Sequence, residues 1–197
     1  MNTIAAHAEA IARGELVVLY VDECHLTHGD ARGYVWGPSK QRLEVPILNT
    51  RERQTYFGAL EPLTGKLSVM EAPRGDATWT VRFLSFVREQ YAGKRVLLCW
   101  DGASYHRGCD VRAYLETLNG QCERADWLMT CIQFAPHAPE QNPIEDVWLK
   151  AKSFIRRNWQ RLDGTFEAVK ALFEEASITM TVDFPKLHTY LAGLQIN

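Results

Sequence analysis

The sequence predicts an α/β protein, a mixed β-sheet flanked by helices. Two continuous apolar runs, Leu16–Val21 and Arg95–Trp100, have the pattern of strands buried on both faces, and each runs straight into an acid, Asp22-Glu23 and Asp101-Gly102. Between Gly29 and Met70 the texture changes to short β-prone runs separated by turn signals, as in antiparallel hairpins. From Thr78 onward helical periodicity alternates with strand-like runs. Antiparallel strands followed by strands alternating with helices give a mixed sheet with helical cover.

The elements follow in order. Thr3–Arg13 is Ala-rich with Ile4 and Ile11 on one face, and Gly14 is placed to cap it. Leu16–Val21 is the first strand. Strands are expected around Gly33–Trp36, Val45–Leu48, Gln54–Leu60 and Lys66–Met70, with turns at Gly29-Asp30, Gly37-Pro38 and Thr64-Gly65. Thr78–Gln90 is helical, with Thr78 as N-cap and Val81, Leu84, Phe86 and Val87 turned inward. Arg95–Trp100 is a buried strand, Val111–Leu118 an amphipathic helix, and Leu128–Phe134 a further strand. Asn142-Pro143 opens a helix running to about Trp159; Thr165–Ser177 and Pro185–Leu194 read as two more.

Composition bounds the function. With 197 residues, 46% apolar and 23% charged, the chain fits one sizeable globular domain and excludes disordered, collagenous and coiled-coil classes. Lys plus Arg (22) against Asp plus Glu (24) leaves a net charge of -2, so any surface for nucleic acid must be local. The five cysteines are an odd number with no Cys-x-x-Cys pair, which favours a reducing cytoplasm over a disulfide scaffold. The longest apolar runs fall far short of the roughly 18 to 20 residues that span a bilayer, so no membrane role is expected.

Three acids stand out. Asp22 and Asp101 follow buried strands, where α/β sheets place their chemistry, and two acids at neighbouring strand ends suit a shared cation; an Asp at a strand end equally makes an Asx turn. Glu145 lies in Ala138–Trp148, in which Asn142 fits an N-cap, Pro143 the first helical position and Glu145 the third, where a capping box would use it. The same carboxylate, beside a positive helix end, is suited to ligate a hard divalent cation. Successive helical residues point about 100° apart, so Glu145 shares a face with Trp148 and Lys152, while Asp146 is aligned with Lys150 as an i, i+4 pair.

Tyr20-Val21-Asp22-Glu23, then Trp100-Asp101-Gly102-Ala103-Ser104-Tyr105-His106, then Pro139-Glu140-Gln141-Asn142-Pro143-Ile144-Glu145-Asp146-Val147-Trp148 resemble, in order, the three acidic motifs of the DDE transposases of mariner-like bacterial insertion sequences. The likeness covers about Leu16 to Trp159. It implies a ribonuclease H-like fold in which Asp22, Asp101 and Glu145 hold two Mg²⁺ or Mn²⁺ ions. It also implies cleavage at transposon ends and strand transfer into target DNA, in a bacterial cytoplasm, by a homodimer bound to double-stranded DNA. On this reading residues 1–14 are an N-terminal helix or linker, 15–160 the catalytic domain, and 161–197 a helical extension of it. Relatives commonly have Asn where this chain has Gly102, and the 44 positions from Asp101 to Glu145 call for a longer connection around Asn119–Trp127. Relatives also carry helix-turn-helix modules upstream, so a separate DNA-reading chain or a missing N-terminal domain is expected.

His106 matches a His of the second motif and is expected, with Glu23, to assist the acids. Cys24, His25 and His28 bring soft and imidazole donors together, but no second ligand pair at finger spacing accompanies them. From Val147 to Arg161 lie Lys150, Lys152, Arg156, Arg157 and Arg161 and no acid, with Trp148 and Trp159 interleaved: either a phosphate-binding stripe or a solvated helix face with its tryptophans in the core. Trp36, Lys40 and Arg42, with Arg51 and Arg53, form a second candidate DNA surface. A domesticated non-catalytic DNA-binding protein, and a nuclease or resolvase without strand transfer, are the alternative readings; an intact acidic triad argues against the first, and a strand-transfer assay separates the second.

Overall fold

The computed structural model describes residues 2–33, 39–40, 44, 51–120, 122–135, 142–183 and 187. Five strands form one sheet: β1 (Leu16–Thr27), β2 (Arg53–Glu61), β3 (Lys66–Ala72), β4 (Arg95–Trp100) and β5 (Met129–Gln133), in the order β3-β2-β1-β4-β5. β1, β2 and β3 pair antiparallel, whereas β4 and β5 join parallel to β1, so the sheet is mixed as expected. The helices are α1 (Asn2–Ala5), α2 (Ala8–Ala12), α3 (Ala77–Gln90), α4 (Cys109–Asn119), α5 (Ile144–Arg157) and α6 (Phe166–Thr179).

The alternation of side chains along β1 divides the core. Val17, Leu19 and Val21 face one layer with Phe83, Leu84 and Val87 of α3 and Val111 of α4. Leu16, Val18, Tyr20, Cys24 and Leu26 face the other, with Ile144, Val147, Trp148 and Ile155 of α5 and Phe166, Val169 and Phe173 of α6. Helices thus cover both faces, as the double apolar character of β1 and β4 requires. Leu187 is buried in the α5–α6 layer; the rest of the helix expected over Pro185–Leu194 lies outside the described residues, as do most of the strands expected at Gly33–Trp36 and Val45–Leu48.

Several boundaries differ from the expectations. The first strand does not end at Val21 but runs on to Thr27, because after the parallel partner β4 stops at Tyr20↔Cys99, β2 continues pairing from Tyr20↔Leu60 to Thr27↔Arg53. Asp22 is therefore a mid-strand residue placed where its parallel neighbour has ended. The N-cap of α3 is Asp76, which accepts the Trp79 N–H at 2.9 Å, rather than Thr78. At the N-terminus two short helices replace one, and Gly14 (φ 68°) closes the second: its N–H donates to Ile11 O and that of Glu15 to Ala10 O, a Schellman pair that needs the left-handed conformation.

Candidate active site

Because side chains alternate along a strand, the consecutive acids Asp22 and Glu23 leave β1 on opposite faces. Asp22 has the parity of Tyr20 and Cys24 and points into the α5–α6 layer, where Trp148 Nε1 donates to its Oδ2 at 3.1 Å. Glu23 points to the α3–α4 side, where His106 Nε2 lies 3.0 Å from its Oε1. Adjacent carboxylates are thus held by two different elements.

Asp101 follows β4 and folds into an Asx turn, its Oδ1 accepting the Ala103 N–H at 2.9 Å. His106 comes from the 3₁₀ turn Ser104–Arg107 and stacks on Trp100, ring centroids 4.3 Å apart and 4° from parallel. Its Nδ1 reaches Asp101 Oδ1 at 3.1 Å. Carboxylate oxygens at both nitrogens of His106 favour its doubly protonated form, since only the imidazolium can donate to both. Burial pulls its pKa down, but the hydrogen bond and charge of Glu23, with the charge of Asp101, outweigh burial and leave it raised.

Glu145 lies in the first turn of α5 and is exposed. Asn142 is not the cap that the sequence implied: its Nδ2 donates to Val21 O at 3.1 Å, and Pro143 occupies the position before the helix. The Asn142 side chain is spent on tying α5 to β1 one residue before Asp22. Asp22 itself is pushed up to about 7, first by burial, then by the charge of Glu23, with Glu145 and Asp101 adding to it against the pull of the Glu23 backbone N–H. The three motif acids are therefore near enough to repel.

Among the described residues no three His, Cys, Asp or Glu side chains already converge on a common point for a metal ion. The donor chemistry nevertheless fits a hard divalent cation, because these are oxygen ligands whose mutual repulsion a cation would relieve. Asp101, whose side chain is 55% exposed, meets Ala103 and His106 through the same oxygen, Oδ1. Cys24, His25 and His28 do not converge: Cys24 is in the α5–α6 core, His25 on the opposite face bonds Thr55 Oγ1 at 3.0 Å, and His28 lies against Phe166.

The basic stripe is largely engaged within the fold. Lys152 Nζ pairs with Asp30 Oδ1 at 3.1 Å and donates to His25 O, Arg156 Nε donates to Asp30 O, and Arg161 forms a two-pronged pair with Glu175. Lys150 Nζ donates to Asp183 O. Arg157 is exposed and bonds the carbonyl of Ser153 on its own helix. Lys40 is exposed at φ 70°, and Trp36 and Arg42 lie outside the described residues.

Sequence reasoning did not single out Gly58 or Gln133. A Cβ at Gly58, the cross-strand partner of Asp22, would overlap Trp148 Cη2 and Cζ2 and stand 3.0 Å from Ile144 Cδ1, so the missing side chain is the space the indole fills. A Cβ at Gly102 would overlap Gln133 Nε2, so the amide of the last residue of β5 occupies the space beside the Asp101 turn. The apolar run around Gly58 disguised the first, and only the β4–β5 register, Trp100↔Gln133, reveals the second.

The mixed sheet in the order β3-β2-β1-β4-β5, with helices on both faces, is a ribonuclease H-like fold. The family model of the DDE superfamily endonuclease matches residues 17–165, and the chain belongs to that family. No curated protein sequence matches it. Among solved structures it is similar to the Mos1 strand transfer complex (TM-score 0.57, 16% identity, 99% of this chain and 59% of that one) and to the Mos1 mariner transposase catalytic domain (0.55, 14%, 98% and 89%). It is also similar to the catalytic core domain of BIV integrase (0.51, 12%, 89% and 94%). The chain spans about half the length of the first full assemblies it matches, 46%, 59% and 57% of those chains.

Proposed function

We propose that this chain is the catalytic domain of a DNA transposase, in which Asp22, Asp101 and Glu145 hold two Mg²⁺ or Mn²⁺ ions that serve phosphodiester cleavage and strand transfer. The observation that carries the reading is the placement of the three motif acids on neighbouring elements, Asp22 on β1, Asp101 after β4 and Glu145 in the first turn of α5, with Glu145 and Asp101 adding their charge to the burial and the Glu23 charge that push Asp22 up to about 7. A related Mos1 catalytic domain has been solved with Mn, which supports the metal assignment.

Uncatalysed phosphodiester cleavage is so slow that accelerations near the upper end of about 10⁶ to 10¹⁷ are needed. Held by Asp22, Asp101 and Glu145, a pair of cations would supply Lewis-acid activation of the attacking water or 3′-hydroxyl and stabilisation of the leaving oxygen. The protein's own part is to hold oxygen donors. Trp148 fixes Asp22, the Asx turn and His106 fix Asp101, and the first turn of α5 presents Glu145 toward solvent. His106, as an imidazolium between Glu23 and Asp101, restrains the second acid and lowers the net negative charge that DNA phosphates approach.

Double-stranded DNA is the proposed partner, with the active complex a homodimer in a bacterial cytoplasm and end recognition supplied by a helix-turn-helix chain or domain outside the described residues. Among the described residues no helix is long and apolar enough to cross a membrane. α6 is proposed as part of the catalytic domain, since Phe166, Val169 and Phe173 share the core that contains Trp148. The test is Mn²⁺-dependent nicking of plasmid DNA followed by a strand-transfer assay with pre-cut ends. Purified protein should nick and join, and Asp101→Asn should lose both by orders of magnitude while still binding DNA. Nicking by Asp101→Asn at the unsubstituted rate overturns the site; nicking without joined product assigns a nuclease or resolvase instead.

A further inference from the structure

Asp22 lies between a bare glycine and a tryptophan. In the β1–β2 register it is opposite Gly58, and the distal ring of Trp148 fills the space above Gly58 that any side chain would occupy. The indole is also placed from behind by Phe173, ring centroids 6.0 Å apart at 24°. In this position its Nε1 points at Asp22 Oδ2, 3.1 Å away. Indole N–H is a donor only, so the bond requires an acceptor oxygen and occupies Oδ2, leaving Oδ1 outside it. Trp148 is one turn along α5 from Glu145, on the same face. The same rigid helix thus presents one acid of the site and grips another, and Asn142 at its start ties down the Val21 carbonyl next door.

We propose that Trp148 is a positioning residue of the cation site: its indole N–H holds Asp22 in the single carboxylate orientation that meets the metal, and Gly58 is the notch that admits it. The inference rests on the reading of Asp22 as a metal ligand. A two-fold carboxylate on a free χ2 has to be ordered when the cation arrives, whereas one already gripped by a rigid ring does not. Outer partners of metal ligands typically contribute about 10- to 100-fold to metal affinity.

The test replaces the N–H and nothing else. Site-specific incorporation of 3-benzothienylalanine at position 148 puts sulfur where the indole nitrogen stands and keeps the ring shape that packs on Gly58 and Phe173. Mn²⁺ binding to the protein alone, without DNA, is then measured by electron paramagnetic resonance of the free ion. The substituted protein should bind Mn²⁺ about 10- to 100-fold more weakly while keeping its circular dichroism and a cooperative thermal transition. In the unsubstituted protein, the Trp148 indole ¹H–¹⁵N resonance, assigned by its loss in Trp148→Phe, should shift during Mg²⁺ titration with the midpoint of binding. Unchanged Mn²⁺ affinity, or an indole resonance indifferent to Mg²⁺, overturns the positioning role. Asp22→Ala separates the two readings: no effect of Asp22→Ala on Mn²⁺ affinity means that the ligand assignment has failed, whereas a loss there with none in the benzothienyl protein leaves the ligand and removes Trp148.

Discussion

His106 Nε2 lies 3.0 Å from Glu23 Oε1, and the two side chains are only 2% and 4% exposed. An ion pair so buried is stable only if both partners stay charged. His106 is raised above its ordinary value despite burial, so its share of stability is fully present below the unfolded pKa of about 6.5 and is lost as pH rises through the higher folded value. The imidazole of His106, followed by NMR in metal-free protein, should titrate above about 6.5, and Glu23→Gln should lower that midpoint. A midpoint below that of a free histidine would refute the imidazolium assignment.

Asp22 works in the opposite chemical sense with the same sign in pH. A carboxyl raised from 3.8 to about 7 is favoured as its neutral form in the folded protein, so stability is full below the unfolded pKa and drains away as pH climbs to about 7. Three units correspond to at most about 4 kcal/mol. Urea denaturation without divalent cations should therefore show a smaller fall in stability from pH 5 to pH 8 for Asp22→Asn than for the unsubstituted protein. Mg²⁺ should restore stability to the unsubstituted protein at pH 8 and much less to the variant. Equal pH dependence in the two proteins would contradict the burial of this charge.

The elements that carry the candidate acids were legible in the sequence. The Asp22, Asp101 and Glu145 motifs sit in runs whose period reads as two strands and a helix, and the fold, a mixed sheet with helices on both faces, follows from strands whose apolar residues run without alternation. What escaped was relational. That Asp22 and Glu23 part to opposite faces depends on β1 continuing past Val21, which depends on β2 pairing that no local signal in Asp22–Thr27 announces. Gly58 looks like a weak point in an apolar strand until Trp148 is seen over it. Asn142 was read as a cap because local chemistry favours one, whereas the tertiary bond to Val21 O took its amide. The basic residues from Lys150 to Arg161 form a stripe in sequence, but most meet Asp30, Asp183 or Glu175 on other segments of the chain.

The Gly58–Trp148 contact predicts non-additive energetics. Gly58→Ala forces a methyl into the indole and should cost about 1 to 3 kcal/mol, as overpacked cores do. Trp148→Phe removes the distal ring atoms that the methyl would strike, at its own cost in burial. The double substitution should be less destabilised than the sum of the two singles by 0.5 kcal/mol or more, an interaction typical of residues in contact and about the limit of denaturant titration. Strict additivity would show that the two do not share that space.

Glu145 and Asp146 are neighbours in sequence with different exposure, Glu145 open to solvent and Asp146 partly buried. Glu145→Gln should abolish Mn²⁺-dependent nicking. Asp146→Asn should retain it and alter stability by no more than about 0.2 to 0.5 kcal/mol, the scale of a helix-surface ion pair. Plasmid nicking with the two purified variants decides this, and the reverse pattern would move the third acid by one residue around the helix.

The last prediction separates basic residues that hold the fold from those available to DNA. Lys152, its side chain 23% exposed, is committed to Asp30 and to the His25 carbonyl, and the Arg156 stem packs on Gly33 while its Nε bonds Asp30 O. Removing either breaks partly buried bonds to Asp30, so Lys152→Ala and Arg156→Ala should each destabilise by about 0.5 to 1.5 kcal/mol in denaturant titration. Arg157 is exposed on the same helix with a bond only to Ser153 O among the described residues. Arg157→Ala should change stability by no more than about 0.5 kcal/mol. Phosphate contacts position a protein without reading sequence, so this chain alone should bind duplexes weakly, at about 10⁻⁴ to 10⁻⁶ M at physiological salt, with little preference for element ends. Each phosphate contact contributes about 0.9 to the slope of log affinity against log salt, so Arg157→Ala should flatten that slope by about one contact. Fluorescence anisotropy of labelled end and scrambled duplexes across several salt concentrations measures both quantities. An unchanged slope for Arg157→Ala, together with full stability of Lys152→Ala, would invert this division of labour along α5.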